Sequence, residues 1–281
     1  MALVTMDRLM ERAGQKNGAV GAFNVGNMEM VMGVVQAAQE LGEPVILQIA
    51  QKRLGHSPLS LIGPMMVAAA ENATVDIAVN LDHGLTLECI RQALELGFSS
   101  VMLDASSLPF EENIEASRRV KELASSYGAV VEAELGVVGG NEGGGEKQIR
   151  CTEPESAGAF CVRTGVDALA VAIGNAHGVY AALPELRFDI LDQIRERTRV
   201  PLVLHGGTGM TPEMFRRAID GGIRKINIAT SGLQSMADYA RSYCAAVTKA
   251  DYFKLSEAMV EGVYKNTAAH IRLFAGRSAG L

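Results

Sequence analysis

The feature that most constrains this chain is an alternation. Eight short β-favouring segments, Val20–Phe23, Val45–Ile49, Asp76–Leu81, Ser100–Leu103, Val130–Glu134, Ala168–Ile173, Leu202–His205 and Lys225–Ile228, are separated by stretches whose apolar residues recur at helical spacing. Runs this short and this rich in Val, Ile, Leu and Ala suit strands covered on both faces. The stretches between them carry helix start and stop signals. Asn27 precedes Met28–Leu41, which gives way to Gly42 and Pro44; Thr86 precedes Leu87–Leu96, ahead of Gly97. Pro154 opens a helix to Thr164 ahead of Gly165, and Thr211-Pro212 opens one that reaches Asp220. Leu59–Asn72, Phe110–Tyr127, Ile190–Arg197, Ser231–Lys249 and Phe253–Phe274 complete the helical set. Alternation at this spacing builds βαβ units and a parallel sheet, and eight such units close on themselves. The expected fold is α/β, a (β/α)8 TIM barrel with extra N-terminal and C-terminal helical segments, forming one domain over residues 1–281. The alternative, an open doubly wound sheet, is disfavoured because no Gly-x-Gly-x-x-Gly follows the first strand.

Composition narrows the function classes. The chain has 281 residues, 48% hydrophobic and 21% charged, with a formal charge of −6. It has no Lys/Arg-rich run, which argues against nucleic acid as a partner. The absence of Trp argues against a stacking surface for bases or sugars. No apolar run approaches the ~20 residues that span a bilayer, and residues 1–8 lack the apolar core of a signal peptide. Cys89, Cys151, Cys161 and Cys244 form no close pair, so they are read as reduced thiols of a cytoplasmic protein.

In barrels of this kind the active site lies at the C-terminal ends of the strands. The first segment ends at Asn24, the third in Asp82-His83-Gly84, the fourth in Asp104-Ala105-Ser106 and the fifth in Glu132-Ala133-Glu134. The sixth runs into Gly174-Asn175-Ala176-His177-Gly178, the seventh ends in His205 and the eighth in Asn227-Ile228-Ala229-Thr230. Three of the five histidines thus fall at strand ends, each followed by glycine. Three neutral imidazoles suit zinc or another divalent metal and leave a coordination position open, as catalytic sites do. Glu134 is either a further ligand or partner of that set, or a mouth carboxylate paired with Lys or Arg. Asp82 either exchanges a proton with a substrate oxygen or only orients His83. His270, on the last helix, is read as a surface residue. The loops after the seventh and eighth strands are a recurrent phosphate site. Here they hold Gly206-Gly207-Thr208-Gly209 and Asn227–Ser231, which offer backbone N–H groups and hydroxyls. The glycine-rich stretch 136–150 is read as a lid or an unstructured loop.

Gly21-Ala-Phe-Asn24, Leu81-Asp-His-Gly84, Ser100-Val-Met-Leu-Asp-Ala-Ser106, Val131-Glu-Ala-Glu-Leu-Gly136, Ala168-Leu-Ala-Val-Ala-Ile-Gly174, Ala176-His-Gly178, Leu204-His-Gly-Gly-Thr-Gly209 and Lys225-Ile-Asn-Ile-Ala-Thr230 belong together in one family. On these motifs the chain, from Leu3 to about Phe274, resembles the zinc-dependent class II ketose-bisphosphate aldolases of the fructose- and tagatose-bisphosphate type. The resemblance implies reversible cleavage of a ketose phosphate into dihydroxyacetone phosphate and an aldehyde through a zinc-stabilised enediolate. It implies that His83, His177 and His205 hold zinc, that Asp82 exchanges a proton with the C4 hydroxyl, and that Glu142 in the lid moves the C3 proton. Gly178, Gly206, Thr208, Asn227 and Thr230 match the positions around the C1 phosphate and ketone, and Asn24, Gly207 and Ala229 are further candidates for substrate or phosphate binding. It further implies a homodimer or homotetramer and, in some members, a monovalent cation.

The departures bear on the substrate. The family often reads Gly-Gly-x-Glu-Asp in the lid, where this chain has Gly139-Gly-Asn-Glu142-Gly143. Asn175 stands where Thr or Ser is common, Ala229 where fructose-type members have Asp or Asn, and Ala50 where a Ser is usual. An Asp-Pro-Arg, whose arginine grips the distal phosphate, is replaced by Asp251-Tyr-Phe-Lys254. The acceptor end is therefore expected to differ from a plain sugar 6-phosphate, for example a sulfonate, a carboxylate or an uncharged end. Lys52, Arg53 and His56 are candidate replacements for the lost contact, or a solvated basic loop. Three other classes fit these residues less well. A Schiff-base aldolase needs a desolvated lysine, for which Lys225 is the one strand candidate. A barrel hydrolase has a His-x-His after strand 1, where this chain has Phe23-Asn24. A non-catalytic barrel has no need of Asp82, Glu142 and three histidines together.

Overall fold

The structure, a computed structural model, describes residues 2–140, 149–180 and 182–275. The strands are β1 (Val20–Asn24), β2 (Val45–Ala50), β3 (Ile77–Gly84), β4 (Ser100–Leu103), β5 (Val130–Leu135), β6 (Ala168–Val171), β7 (Leu202–Leu204) and β8 (Ile223–Ile228). They pair in parallel in sequence order, and β8 returns to β1 to close the barrel. The helices are α1 (Met6–Gln15), α2 (Met28–Leu41), α3 (Leu59–Glu71), α4 (Leu87–Glu95), α5 (Phe110–Ser125), α6 (Pro154–Thr164), α7 (Phe188–Arg197), α8 (Pro212–Asp220), α9 (Thr230–Ala246) and α10 (Tyr252–Phe274). Several ends follow the local chemistry read from sequence. Asn27, Thr86 and Thr211 each accept the N–H three residues on, and Gly42 and Gly165 take the left-handed conformation that stops a helix.

Strand parity divides the apolar residues into two cores. One set, including Leu47, Val79, Val131, Val171 and Leu204, faces outward and packs under the helices. The other, including Ala22, Ile46, Ala78, Met102, Val130, Ala170 and Val203, faces the barrel axis. The N-terminal segment does more than extend the fold. Residue 3 bridges to Ile77, and α1 then buries Met6, Leu9 and Met10 against the inward set, closing the barrel's lower end. The α1 backbone is fixed there by Met6 N–H donating to Ser100 Oγ at 3.2 Å. At the other terminus α10 packs on α2 and α9, and Phe274 O accepts from Ala19 N–H at 3.1 Å.

Two expectations need correction. His270 is not a surface residue: it is half-buried among Phe23, Phe215 and Phe274, with ring centroids 6.5, 6.3 and 5.6 Å away. Burial there holds its pKa below the ordinary 6.5. The third strand also runs on through His83 to Gly84 rather than ending at Leu81. The glycine-rich stretch is closed at its base by paired hydrogen bonds between Val137 and Arg150, at 2.7 and 3.0 Å. Glu142 lies outside the described residues.

Candidate active site

Regular alternation along β3 would send Asp82 inward and His83 outward, yet both belong to one site. The backbone resolves this. His83 has φ +42°, in the left-handed region that a histidine rarely occupies, and the β3–β4 register shifts between Leu81 and Gly84. The irregularity re-aims the imidazole into the barrel mouth. Gly84 then passes so close to β4 that a Cβ would lie 2.5 Å from Met102 O.

The three strand-end histidines meet there. Ring centroids lie 4.8 Å apart for His83 and His177, 4.7 Å for His83 and His205, and 5.6 Å for His177 and His205. One nitrogen from each ring falls within 4.8 Å of the other two. Carboxylates behind the rings fix two of them. Asp104 Oδ2 is 3.1 Å from His83 Nδ1, and Glu132 Oε1 is 2.8 Å from His205 Nε2. This leaves His83 Nε2 and His205 Nδ1 facing each other at 2.9 Å. The donor set fits a zinc-type ion: three imidazoles converge, and carboxylates hold the far ring nitrogens of two. Burial opposes a charge on His83, but the nearby Asp82, Asp104 and Glu134 carboxylates push its pKa up to about 9. Glu134 is 1% exposed, accepts from Val138 N–H at 3.3 Å, and lies with Asp104 beside His83.

Asp82, 3% exposed, is held by two amides: Asn24 Nδ2 donates to Oδ2 at 2.9 Å and Asn227 Nδ2 to Oδ1 at 3.2 Å. Asn24, Asp82, His177, Gly178, Gly206, Thr208, Asn227, Ala229 and Thr230 line one pocket. Thr230 opens α9, whose N-terminal N–H groups present positive dipole ends at that pocket. Gly206 has φ +68°, and a Cβ there would sit 2.1 Å from Ala176 O, so the close crossing of the loops after β6 and β7 requires glycine. Tyr180 and Asn175 pin the same crossing. Tyr180 OH donates to Gly206 O at 2.8 Å, and Asn175 Nδ2 donates to His205 O at 3.0 Å.

Not every candidate joins this pocket. Gly207 N–H is donated to Asn227 O at 3.3 Å, and Gly207 serves the loop rather than the wall. Arg53 and His56 line an adjoining cavity of ≈ 240 Å³ that shares Asn24 and Ala229 with the pocket; Lys52 lines neither. Sequence reasoning passed over Asp104 as a partner of His83 and the fully buried Glu132–Lys225 ion pair, 2.9 Å long, beneath His205. The available signal was parity: Glu132 and Glu134 lie two apart on one strand, and Lys225 and Asn227 on another, so each pair faces the axis.

The family model for class II fructose-bisphosphate aldolase matches residues 4–279. The fructose-bisphosphate aldolase of Geobacillus stearothermophilus is 41% identical over 235 residues, 82% of each chain. The sulfofructosephosphate aldolase of Alkalicoccus urumqiensis is 38% identical over 233 residues, 82% of this chain and 81% of that one. The crystal structure of the YdjI aldolase of Escherichia coli K12 superposes with a TM-score of 0.88 at 36% identity, covering 97% of both chains. Among the described residues no helix is long and apolar enough to cross a membrane. With the closed barrel and the histidine cluster at its mouth, these likenesses identify the chain as a member of the class II fructose-bisphosphate aldolases, lyases that act on sugar phosphates and generally depend on a divalent metal.

Proposed function

We propose that this chain reversibly cleaves a ketose 1-phosphate or 1,6-bisphosphate into dihydroxyacetone phosphate and an aldehyde. One observation carries the reading: His177, one of three convergent imidazoles, and a doubly held carboxylate share a pocket with the N-terminus of α9. His83, His177 and His205 would hold zinc, with Glu134 beside His83. A divalent ion held there would supply a Lewis acid for the ketone oxygen. Backbone N–H groups around Gly206, Thr208 and Thr230 bind the C1 phosphate. Asp82 accepts the C4 hydroxyl proton, its orientation fixed by Asn24 and Asn227. As the C4 carbonyl forms, the C3–C4 bond breaks and its electron pair stays on C3, where a proton then adds. Glu142, carried over from the family resemblance, is the donor at C3.

The distal end of the substrate points to a second reading, in which the group at C6 is a sulfonate or another non-phosphate anion. The adjoining cavity is walled by Val25, Met30, Ala50, Leu233 and Met236, with Arg53 and His56 as its cationic or titratable groups. Arg53 supplies that cavity with one guanidinium for a distal anion. A relative at 38% identity is a sulfofructosephosphate aldolase. The test is dihydroxyacetone phosphate release from fructose and tagatose bisphosphates and from 1-phosphates bearing a 6-sulfonate or no distal anion, with and without a chelator. Chelator-sensitive cleavage fastest with a bisphosphate supports the first reading and sinks the second. A preference for the sulfonate does the reverse. No cleavage by zinc-replete protein overturns both.

A further inference from the structure

One fully buried charged group in the barrel, Lys225, is used by neither the proposed reaction nor the metal set. Lys225 is fully buried, and its ammonium faces two acceptors: Glu132 Oε2 at 2.9 Å and Asn227 Oδ1 at 2.7 Å. It does not line the substrate pocket, so it is no Schiff-base nucleophile. Its two contacts lead by separate routes to the two halves of the site.

We propose that Lys225 is a positioning residue that sets the tautomer of His205 and the amide orientation of Asn227 at once. The inference rests on the aldolase reading only for its consequence, not for its geometry. An ammonium has donors and no lone pair, so the atom of Asn227 facing it must be the carbonyl oxygen. The amide nitrogen is then turned toward Asp82, where it donates at 3.2 Å. On the other route, the ion pair keeps Glu132 an acceptor, so the His205 nitrogen 2.8 Å away carries the proton. His205 is thereby fixed as the Nε2–H form, with the Nδ1 lone pair aimed at the other two histidines. A second chain of donors converges on Asp82 from the other side. Asn24 donates to Asp82 at 2.9 Å and accepts from Gln48 at 2.8 Å, and Gln48 accepts from Asn80 at 3.3 Å. One cation thus orders a metal ligand and a base through neighbours that each have a single satisfying orientation.

Two measurements test this. In unmodified, metal-free protein labelled with 15N-histidine, long-range proton–nitrogen correlation should show His205 protonated at Nε2 and bare at Nδ1; the opposite tautomer overturns the proposal. In the charge-neutral double variant E132Q/K225M, zinc affinity measured by competition with a chromogenic chelator should fall by about 10- to 100-fold, the usual cost of losing a ligand's supporting partner. A folded double variant that binds zinc within about twofold of the parent overturns it as well. If that variant does not fold, the tautomer measurement decides alone. Neither readout needs substrate turnover, so a failed aldolase assay and a failed role for Lys225 remain distinguishable.

Discussion

The lower and upper halves of the barrel interior are built on the same strands with the same alternation, yet their contents differ completely. Below, Ala22, Ile46, Ala78, Met102, Ala170 and Val203 meet the apolar face of α1. Above, Asn24, Gln48, Asn80, Asp82, Glu132, Glu134, His205, Lys225 and Asn227 form an interior of charges and amides in which most members are as deeply buried as the residues below. Burial therefore does not separate the two; chemistry does. Desolvating carboxylates and an ammonium costs several kcal/mol per ion before pairing recovers part of it. The upper half is a cost carried by the structure, and the plugged lower half with the outward-facing core offsets it. Such a division lets the site be rearranged without unfolding the barrel.

The comparison gives a graded set of expectations. The largest effect belongs to the upper half. Asp82→Ala should lower kcat/KM by about 10²- to 10⁴-fold, the usual worth of a general acid/base, while the thermal midpoint holds or rises. A variant that keeps its activity, or that loses it by unfolding, breaks the division. In the lower half the signs exchange. Leu9 is 0% exposed on the plug, and Leu9→Ala should cost ~2–5 kcal/mol of stability in denaturant titrations, with zinc affinity unchanged. Smaller is Gly206→Ala, where the added Cβ meets Ala176 O and the backbone sits at φ +68°. Strain of roughly 1–3 kcal/mol should appear as a raised KM for the phosphorylated substrate.

The smallest effect sharpens the contrast by following one residue type into both settings. His83, among carboxylates, has its pKa pushed up to about 9; His270, among Phe rings, has its pKa lowered from 6.5. Because folded His270 binds its proton less readily than the unfolded chain does, its contribution to stability is whole above pH 6.5 and is lost as the pH falls through the folded value. His270→Gln should therefore flatten the decline in stability on acidification below that pH, read from melts across a pH series. An unchanged slope would remove His270 from the outer apolar layer.

How much of this was legible in the chain follows the range of the forces involved. Strand identity, helix caps and the strand-end histidines are local and were readable, because Val/Leu runs, Asn27 and Thr86, and a His-Gly pair signal within a few residues. What failed to show depends on cross-barrel register. Glu132 and Lys225 lie on strands that do not pair with each other, so nothing near either in sequence announces the contact. His270 reads as exposed in the sequence for a related reason: the face α10 buries is chosen by Phe23 and Phe215, far away in the chain. The left-handed turn at His83 was hidden because Asp82-His83-Gly84 reads equally well as a plain strand end.

The pairing of β8 with β1 has a consequence for biosynthesis. Within the barrel, β1 waits for β8 before both its edges are satisfied. Until then the apolar face of α1 has no closed barrel to fill, and α10, which covers β1 and α2, does not yet exist. Pairing across so long a separation is slow and leaves a nascent chain open to aggregation. His83 at the end of β3 and the histidines after β6 and β7 gain their fixed geometry in the same closing event. A chain stalled before β8 has neither a sealed interior nor Asn227 and Lys225 to order the site, and quality control that removes such chains would remove little that works.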